Sequence, residues 1–281
     1  MSRVRNMRSL LAGMAVALFA TAVQAKCAAS PDACIMPEGE YHISLPENGP
    51  ERAPVVMFLH GAGGSGELTI RNRAMLQPLL DRGYAVIAPT GGRSFRGRPA
   101  SNWVFYPGWE GRDEAAFLRL VVADAADRFG IDSTRVLLGG FSAGAFMVNY
   151  LACAAPDTFA AYAPVSGGFW RPHPASCQGP VKLFQTHGWR DRTVPIEGRA
   201  LRSGQFVQGD IFAGLEIWRA ANGCAGDNPT SYSETGSFWR RKWENCAPGA
   251  ALEFALFPGG HSVPQGWSDM VLDWFEGATR E

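Results

Sequence analysis

The sequence has no surplus of charge of either sign. Its 281 residues include 26 Lys and Arg and 26 Asp and Glu, which gives a formal net charge of zero. Proteins that bind nucleic acid through phosphate contacts carry a basic surplus, so we expect no nucleic-acid partner. Charged residues make up only 19% of the chain and hydrophobic residues 46%, which excludes a solvated, disordered chain. We therefore expect a folded globular protein.

Metal-binding motifs are also missing. The sequence contains no CxxC pair and no cysteine–histidine cluster with the spacing of a zinc site. The GxxxxGK[ST] motif of phosphate-binding loops is absent as well. We therefore expect neither a bound metal nor a cofactor.

No apolar run is long enough to span a bilayer comfortably, which takes about 20 residues. The longest run, residues 10–20, follows three arginines and precedes small residues that suit cleavage by signal peptidase after Ala25. Residues 1–25 are therefore predicted to be a signal peptide, with a retained membrane anchor as the alternative. Residues 26–281 are predicted to form a single catalytic domain, with a net charge near −3 because the three arginines leave with the peptide. We expect a secreted or periplasmic protein with no stable membrane insertion after cleavage.

Six cysteines follow residue 25, and their even number agrees with export to an oxidising compartment. We predict three disulfides, with buried free thiols as the alternative, although six cysteines leave several connectivities open. Closeness in the sequence favours pairs that each close a local loop: Cys27–Cys34, Cys153–Cys177 and Cys224–Cys246.

Short apolar runs alternate with longer helical patterns, which is typical of a mainly parallel sheet with crossover helices. The predicted strands are 54–59, 84–88, 135–139, 161–165, 181–185 and 252–256, with an antiparallel edge strand at 40–45. Pro164 argues against the strand at 161–165, because proline lacks the N–H that a sheet needs. Helical patterns cover 113–129, 143–154, 211–222 and 265–276. The predicted fold class is α/β, with a mostly parallel central sheet and helices on both faces.

Two long connections, residues 91–111 and 225–249, separate these elements. Loops of this length are usually functional or disordered, and the abundance of Trp, Phe, Gly and Arg favours ordered walls around a site. Trp103 and Trp109 in the first connection, and Trp189 farther along the chain, are candidate substrate-binding residues. The alternative is that these rings only pack in the core or on the surface.

The run Gly-Phe-Ser-Ala-Gly at residues 140–144 is the strongest chemical signal. It follows a predicted strand and opens a predicted helix, which is the context of the GxSxG turn that presents a nucleophilic serine. Ser142 is therefore the candidate nucleophile. A glycine-rich strand exit without catalytic meaning is the alternative.

A serine nucleophile needs a base to take its proton and an acid to orient that base. In this strand–turn–helix context the order along the chain is serine, acid, histidine. Asp191 follows the strand at 181–185, and His261 follows the strand at 252–256, so both belong to the end of the sheet where sites gather. Asp210 is the rival acid, but its place before a predicted helix favours a role as N-cap.

The loop after the first parallel strand, His-Gly-Ala-Gly-Gly, is a candidate oxyanion hole. The candidate donors are the backbone N–H groups of Ala62, or Gly63 in its place, and of Ala143. His60 and His187 are interpreted as structural residues that bond nearby backbone. A glycine-rich phosphate loop is the alternative reading of this segment.

Several runs together resemble the secreted polyhydroxybutyrate depolymerase and feruloyl esterase group of α/β-hydrolases, over roughly residues 40–277. These are LHGAGGSGE, RDEAAFLRLVVADAADRFGIDSTRVLLGGFSAG, LACAAPDTFAAYAPVSG, HGWRDRTVP, WRAANGC and LEFALFPGGHSVP. The resemblance implies an α/β-hydrolase fold and an esterase with Ser142 as nucleophile, Asp191 as acid and His261 as base. It also implies the disulfides Cys153–Cys177 and Cys224–Cys246.

The chain departs from the group's pattern at three places. Ala62 stands where relatives often have Cys, Ala145 where they often have Gly, and the residues after His261 lack the Trp-Pro that many relatives carry. The expected function is an exported serine esterase that cleaves feruloyl, acyl-polysaccharide or hydroxyalkanoate esters through an acyl-enzyme. The alternatives are a serine peptidase on the same fold and a non-catalytic exported binding protein.

Overall fold

A ten-stranded sheet forms the centre of the structure, a computed structural model that describes Cys27 and residues 32–279. The predicted signal peptide, residues 1–25, lies outside the described residues. The strands of the described part are β1 (Cys34–Met36), β2 (Gly39–Ser44), β3 (Val55–Leu59), β4 (Ala85–Pro89), β5 (Arg93–Phe95), β6 (Arg98–Asn102), β7 (Val136–Phe141), β8 (Ala161–Val165), β9 (Trp170–Arg171), β10 (Lys182–Gly188), β11 (Arg199–Leu201), β12 (Phe206–Gln208), β13 (Ser231–Thr235), β14 (Phe238–Trp243) and β15 (Ala251–Phe257). The helices are α1 (Gly66–Ile70), α2 (Arg73–Asp81), α3 (Glu114–Phe129), α4 (Ala143–Ala154), α5 (Ile211–Ala221) and α6 (Trp267–Ala278).

The strand order in the large sheet is β1-β2-β4-β3-β7-β8-β10-β15-β14-β13. The six central strands, from β4 to β15 in that order, are parallel to one another. On each side of them, two further strands pair in the antiparallel direction. Parallel strands are buried on both faces and therefore read as continuous apolar runs. All five residues of β3 and all five of β4 are buried, which explains why these strands could be located from the sequence.

Helices cover both faces of the sheet and divide the core into two layers. Along β3, Val55, Met57 and Leu59 belong to the layer that includes residues of α3, α4 and α5, whereas Val56 and Phe58 belong to the layer that includes residues of α1, α2 and α6. The alternation follows from the two-residue period of a strand. The predicted mostly parallel sheet with helices on both faces is thus confirmed.

Helix α3 illustrates how local residues set the element boundaries. The Asp113 side chain accepts a hydrogen bond from the Ala116 N–H (2.9 Å) and so caps the first turn. The helix ends at Gly130, whose φ of +67° lies in the left-handed region that glycine adopts without steric cost. The sequence pattern had placed the same helix at 113–129.

The structure corrects several expectations about the strands. The predicted edge strand at 40–45 corresponds to β2, which is antiparallel as expected but lies inside the edge because β1 pairs with its outer side. Pro164 lies within a buried central strand, β8. The pairs between β8 and β10 join Tyr162 to Leu183 and Val165 to Thr186, so the ladder skips the proline, which has no N–H to donate.

The two long connections contain regular structure that the sequence analysis missed. Residues 91–111 include the hairpin β5–β6, and residues 225–249 include the hairpin β13–β14. The second hairpin extends the sheet, because β14 pairs with β15. None of its residues lines the cavity next to Ser142, so the expectation that it walls the site is wrong. Helices α1 and α2 were also missed; α1 has only five residues, and α2 contains Pro78.

Three disulfides join Cys27 to Cys34, Cys153 to Cys177 and Cys224 to Cys246. These are the pairs that closeness in the sequence had favoured. No cysteine in the described part of the chain is free.

None of the helices in the described part is long and apolar enough to cross a membrane.

His60 fastens the loop that follows β3. Its Nδ1–H donates to the Gly61 carbonyl (2.8 Å), and its Nε2 accepts from the Gly91 N–H (3.0 Å), beyond the end of β4. Trp103 packs against the imidazole, with 4.9 Å between ring centroids, and its Nε1–H donates to the His60 carbonyl (2.8 Å). His60 therefore has the structural role that the sequence analysis gave it. Burial lowers its pKa to about 4, so the ring is neutral at neutral pH and can accept the hydrogen bond from Gly91.

The pKa of His60 predicts a loss of stability in mild acid. Because this pKa lies below that of a histidine in the unfolded chain, the stabilisation is complete above about pH 6.5 and is lost as the pH falls from there towards 4. We expect His60 to account for about 2 to 3 kcal/mol of the decrease in unfolding free energy between about pH 7.5 and about pH 4.5. Urea denaturation at both pH values, on the parent and on His60→Gln, measures it. The variant should be less stable than the parent at the higher pH but should lose less on acidification. Equal losses would contradict the assignment.

Candidate active site

Ser142 lies in the turn between β7 and α4, as the GxSxG pattern predicts. Its φ of +56° and ψ of −113° are values that residues with a side chain rarely adopt. Ser142 N–H donates to the Val165 carbonyl (3.0 Å), and the Ser142 carbonyl accepts from Phe146 N–H (3.0 Å). These bonds to β8 and α4 hold the turn from both sides.

The glycines on either side of the turn are required by close approach of the backbone. A Cβ at Gly144 would lie 2.2 Å from the Leu59 carbonyl oxygen, and one at Gly140 would lie 2.7 Å from the Gly144 carbonyl carbon. Both distances are shorter than any real contact. Only glycine lets the first turn of α4 pack this closely against the ends of β3 and β7.

The structure brings the three predicted triad residues together in one hydrogen-bonded chain. The Ser142 hydroxyl lies 2.9 Å from His261 Nε2, and His261 Nδ1 lies 2.7 Å from Asp191 Oδ2. With Nδ1 protonated, the imidazole donates to the carboxylate and accepts the hydroxyl proton. The three residues are separated in sequence by 119 and 70 positions and meet because they follow β7, β10 and β15 at the same end of the sheet.

Asp191 is buried but well supplied with donors. Its Oδ1 accepts from the Thr193 N–H (2.9 Å) and the Val194 N–H (2.8 Å), and its Oδ2 accepts from His261. Burial alone would raise the pKa of this carboxyl. The hydrogen bonds from His261 and Val194, with the charges of His261 and His187, outweigh burial and hold the pKa below its ordinary value. Asp191 is therefore ionised at neutral pH, as an orienting acid must be.

The other candidate residues around the acid have structural roles. His187 is fully buried, and its Nε2–H donates to the Val194 carbonyl (2.8 Å), which holds the acid loop as the sequence analysis expected. Burial lowers the pKa of His187. Asp210, the rival acid, caps α5 by accepting from the Ala213 N–H (3.0 Å).

Two backbone amides beside Ser142 are candidates for the predicted oxyanion hole. Ala143 is the first residue of α4, where the N–H has no partner within the helix. Ala62 belongs to the loop after β3, and both alanines line the same cavity as Ser142. Gly63, the alternative donor, gives its N–H to the Ser101 carbonyl (2.7 Å), so the geometry favours Ala62.

The run GAGGSG at 61–66 also has the GxGxxG spacing of a dinucleotide-binding loop, but its amides are engaged. Gly64 N–H donates to the Gly61 carbonyl (3.0 Å), and Gly66 N–H donates to Thr90 Oγ1 (3.0 Å). With the Gly63 N–H bonded as well, few donors remain for a phosphate. The phosphate-loop alternative is therefore not supported by the geometry.

Ser142 opens onto a cavity of about 460 Å³. Aromatic rings form much of its wall: Phe95, Phe105, Trp109, Phe146, Trp170 and Phe206. Several of these rings pack against one another, with centroid distances of 5.1 Å between Phe105 and Trp170 and 5.4 Å between Trp170 and Phe206. A flat, apolar group would bury well between such rings.

Of the three candidate substrate-binding tryptophans, only Trp109 lines the cavity. Trp103 is fully buried beneath His60, so its placement as a cavity wall is corrected. Trp189 is 60% exposed and lies outside the cavity. The connection at 91–111 does form a wall, because Arg93, Phe95 and Trp109 all face the site.

Most of the cavity wall was not predicted from the sequence. Phe146, Trp170, Phe206 and Asn102 contribute to it from four separate segments, and no motif or spacing in the sequence connects them. Asn102 is buried, and its Oδ1 has no hydrogen-bond partner among the described residues, which leaves a polar group for a bound molecule. Phe146 alone had a usable signal, since it lies one helical turn after Ser142.

Comparison with known proteins finds similarity to esterases. The family described as Esterase PHB depolymerase matches residues 40–179. Probable feruloyl esterase C of Aspergillus terreus is 24% identical over 257 residues, which cover 85% of this chain and 84% of that protein. Poly(3-hydroxyalkanoate) depolymerase C of Paucimonas lemoignei is 32% identical over 133 residues, which cover 44% of this chain but only 30% of the depolymerase.

Solved structures agree in fold. An acetyl xylan esterase from Aspergillus awamori superposes with a TM-score of 0.60 at 16% identity, over 84% of this chain and 93% of that one. A carboxylesterase from Bacillus cereus gives a TM-score of 0.57 at 15% identity, over 85% and 94%. Identities this low establish the α/β-hydrolase fold alone. Together with the family match and the sequence relatives, they lead to one conclusion: the chain is a carboxylic ester hydrolase that is similar to the polyhydroxybutyrate depolymerases and feruloyl esterases.

Proposed function

We propose that the protein is an exported serine esterase that works through an acyl-enzyme on Ser142. The observation that carries this proposal is the continuous chain of hydrogen bonds from Ser142 Oγ through His261 to Asp191, which begins at the wall of an apolar cavity. Each link has the length of a working hydrogen bond without any rearrangement. A non-catalytic binding protein would have no need of this arrangement.

In the first half of the reaction, His261 Nε2 takes the proton of the Ser142 hydroxyl while Oγ attacks the ester carbonyl. The ionised Asp191 carboxylate stabilises the imidazolium that forms, since it lies 2.7 Å from Nδ1. The amides of Ala62 and Ala143 donate to the oxyanion of the tetrahedral intermediate. His261 then gives its proton to the leaving alcohol, and the acyl group stays on Ser142.

In the second half, water replaces the alcohol. His261 takes a proton from the water, the hydroxide attacks the acyl-enzyme, and the same two amides hold the second oxyanion. The proton returns to Ser142 Oγ as the acid leaves. No metal or cofactor takes part in either step.

Substrate preference follows from the aromatic wall. The rings of Trp109, Trp170 and Phe206 suit a flat phenolic acyl group such as ferulate, or the hydrocarbon face of a hydroxyalkanoate or an acylated sugar. The relatives' names point the same way, because they include feruloyl esterases and a polyhydroxyalkanoate depolymerase. We propose substrates from these ester classes.

Two substitutions test the mechanism with p-nitrophenyl acetate. The parent should hydrolyse this ester, and Ser142→Ala should lose activity to the background. Asp191→Asn should lower kcat by about 10⁴-fold, because asparagine favours the wrong tautomer of His261. Steady-state kinetics on purified proteins with matching circular dichroism spectra provide the measurement.

The matched controls remove the same chemical groups away from the triad. Ser133→Ala deletes an exposed hydroxyl. Asp210→Asn keeps the N-cap of α5, because asparagine and aspartate are about equally good N-cap residues. Both should stay within about twofold of the parent. A Ser142→Ala protein as active as the parent would overturn the proposal.

Export is supported by the sequence of residues 1–25 and by three disulfides, which persist in oxidising compartments. Expression of the full chain in a bacterium with a secretory pathway should yield a mature protein that begins at Lys26. N-terminal sequencing of the periplasmic or extracellular fraction measures it. A protein that retained Met1 and remained in the cytoplasm would refute export.

A further inference from the structure

The cavity that contains Ser142 is strongly basic, although the chain as a whole carries no net charge. Arg93 and Arg96 line it from the β5–β6 hairpin, and Arg199 and Arg202 line it from the segment around β11. No Asp or Glu side chain belongs to the lining as described. Four positive charges on two separate elements therefore surround the space in which the substrate must sit.

These arginines lack the carboxylate partners that Arg112 and Arg240 have. Arg112 is ion-paired with Glu114 at 2.5 Å, and Arg240 is ion-paired with Glu253. Within residues 32–279, none of the four cavity arginines lies within ion-pair distance of a carboxylate. The charges at the cavity are thus left for solvent or for a ligand.

Aromatic rings of the cavity wall support three of the four guanidinium groups. Arg93 lies over Trp109 with 3.8 Å from Cζ to the ring centroid, and Arg96 lies 5.3 Å from the Phe95 centroid. Arg202 lies 5.9 Å from Phe206. The N–H groups of a guanidinium match the two oxygens of a carboxylate, and a neighbouring ring does not accept them as a carboxylate would.

We infer that the site prefers esters that carry a second, anionic group, a carboxylate at the end of the substrate remote from the scissile ester. The aromatic wall holds the apolar part of such a substrate, and the arginines bind its charged end. The inference rests on the proposed esterase function and adds a charge requirement to it. Neutral esters should be cleaved as well, but less efficiently.

Matched pairs of esters test the charge requirement on both sides of the scissile bond. For an acyl-side charge, the p-nitrophenyl monoester of adipic acid is compared with the p-nitrophenyl ester of adipic acid monoamide. For an alcohol-side charge, p-carboxyphenyl butyrate is compared with p-carbamoylphenyl butyrate. Within each pair a carboxylate is replaced by an amide of nearly the same shape. The intrinsic reactivity of the two esters is the same for every protein, so the change in the ratio of kcat/KM values between parent and variant isolates the charge.

The test variant is Arg96→Gln/Arg202→Gln, which removes one arginine from each wall. Arg199 is left in place because its Nε–H donates to the Thr193 carbonyl (2.9 Å), and Thr193 belongs to the loop that supports Asp191. The control is Arg119→Gln/Arg241→Gln, which removes two exposed arginines of α3 and β14 that do not line the cavity. Test and control variants therefore have the same net charge.

In at least one pair, the parent should have a higher kcat/KM for the carboxylate ester than for the amide ester. The pair in which it does so, the arm of the test that counts, shows which side of the ester bears the charge. In that arm the preference should fall about tenfold in Arg96→Gln/Arg202→Gln and by less than about twofold in the control. It should also weaken in about 0.5 M NaCl, because salt screens exposed charges.

The outcomes that contradict the inference are distinct from failure of the esterase itself. If the parent cleaves the neutral esters but the test variant keeps the parent's ratio in both pairs, the charge requirement is wrong and the esterase function stands. If the parent cleaves p-nitrophenyl acetate but none of the four esters, the charge requirement alone is wrong. If it cleaves neither p-nitrophenyl acetate nor any of the four esters, both proposals fall.

Discussion

The site depends on the sharp turn of the backbone at Ser142. A residue with a side chain in this conformation costs about 1 to 3 kcal/mol, and it persists only where the surroundings hold it in place. The surroundings here are β7 and α4, which approach closely because Gly140 and Gly144 have no side chains. The same turn lifts the Ser142 hydroxyl towards His261 and leaves Ala143 N–H at the open start of the helix. One packing constraint therefore positions both the candidate nucleophile and half of the candidate oxyanion hole.

Around this turn, the buried titratable groups are held by hydrogen bonds in one protonation state, whereas the charged groups at the cavity are not paired with a carboxylate of the described chain. Asp191 is buried and kept ionised by two backbone amides and His261, whereas His60 is buried and kept neutral so that it can accept a hydrogen bond from Gly91. Both side chains hold loops at the end of the sheet. At the cavity, by contrast, four arginines have no carboxylate partner among the described residues.

Much of the candidate active site could be predicted because its signals are local. Ser142 lies in a five-residue motif, and Asp191 and His261 each follow a continuous apolar strand, so their order and their place at the strand ends were readable. Most of the cavity wall was not readable in this way, because Trp170 and Phe206 come from distant segments that only tertiary packing brings together. Trp103 was misplaced for a related reason: an aromatic residue in a long connection can equally face a site or, as here, be buried under a neighbouring histidine. The connection at 225–249 was misjudged because exposed antiparallel strands lack the long apolar runs of the buried ones.

The most direct test of the central claim is the position at which a fluorophosphonate probe reacts with the folded protein. The probe forms a stable bond with a serine only where a base activates the hydroxyl and amides stabilise the resulting oxyanion. Mass spectrometry of the digested protein should find one adduct, on the peptide that contains Ser142, with hydrolysis of p-nitrophenyl acetate lost in proportion to labelling. An adduct on another residue, or full hydrolysis by a protein labelled at Ser142, would contradict the account.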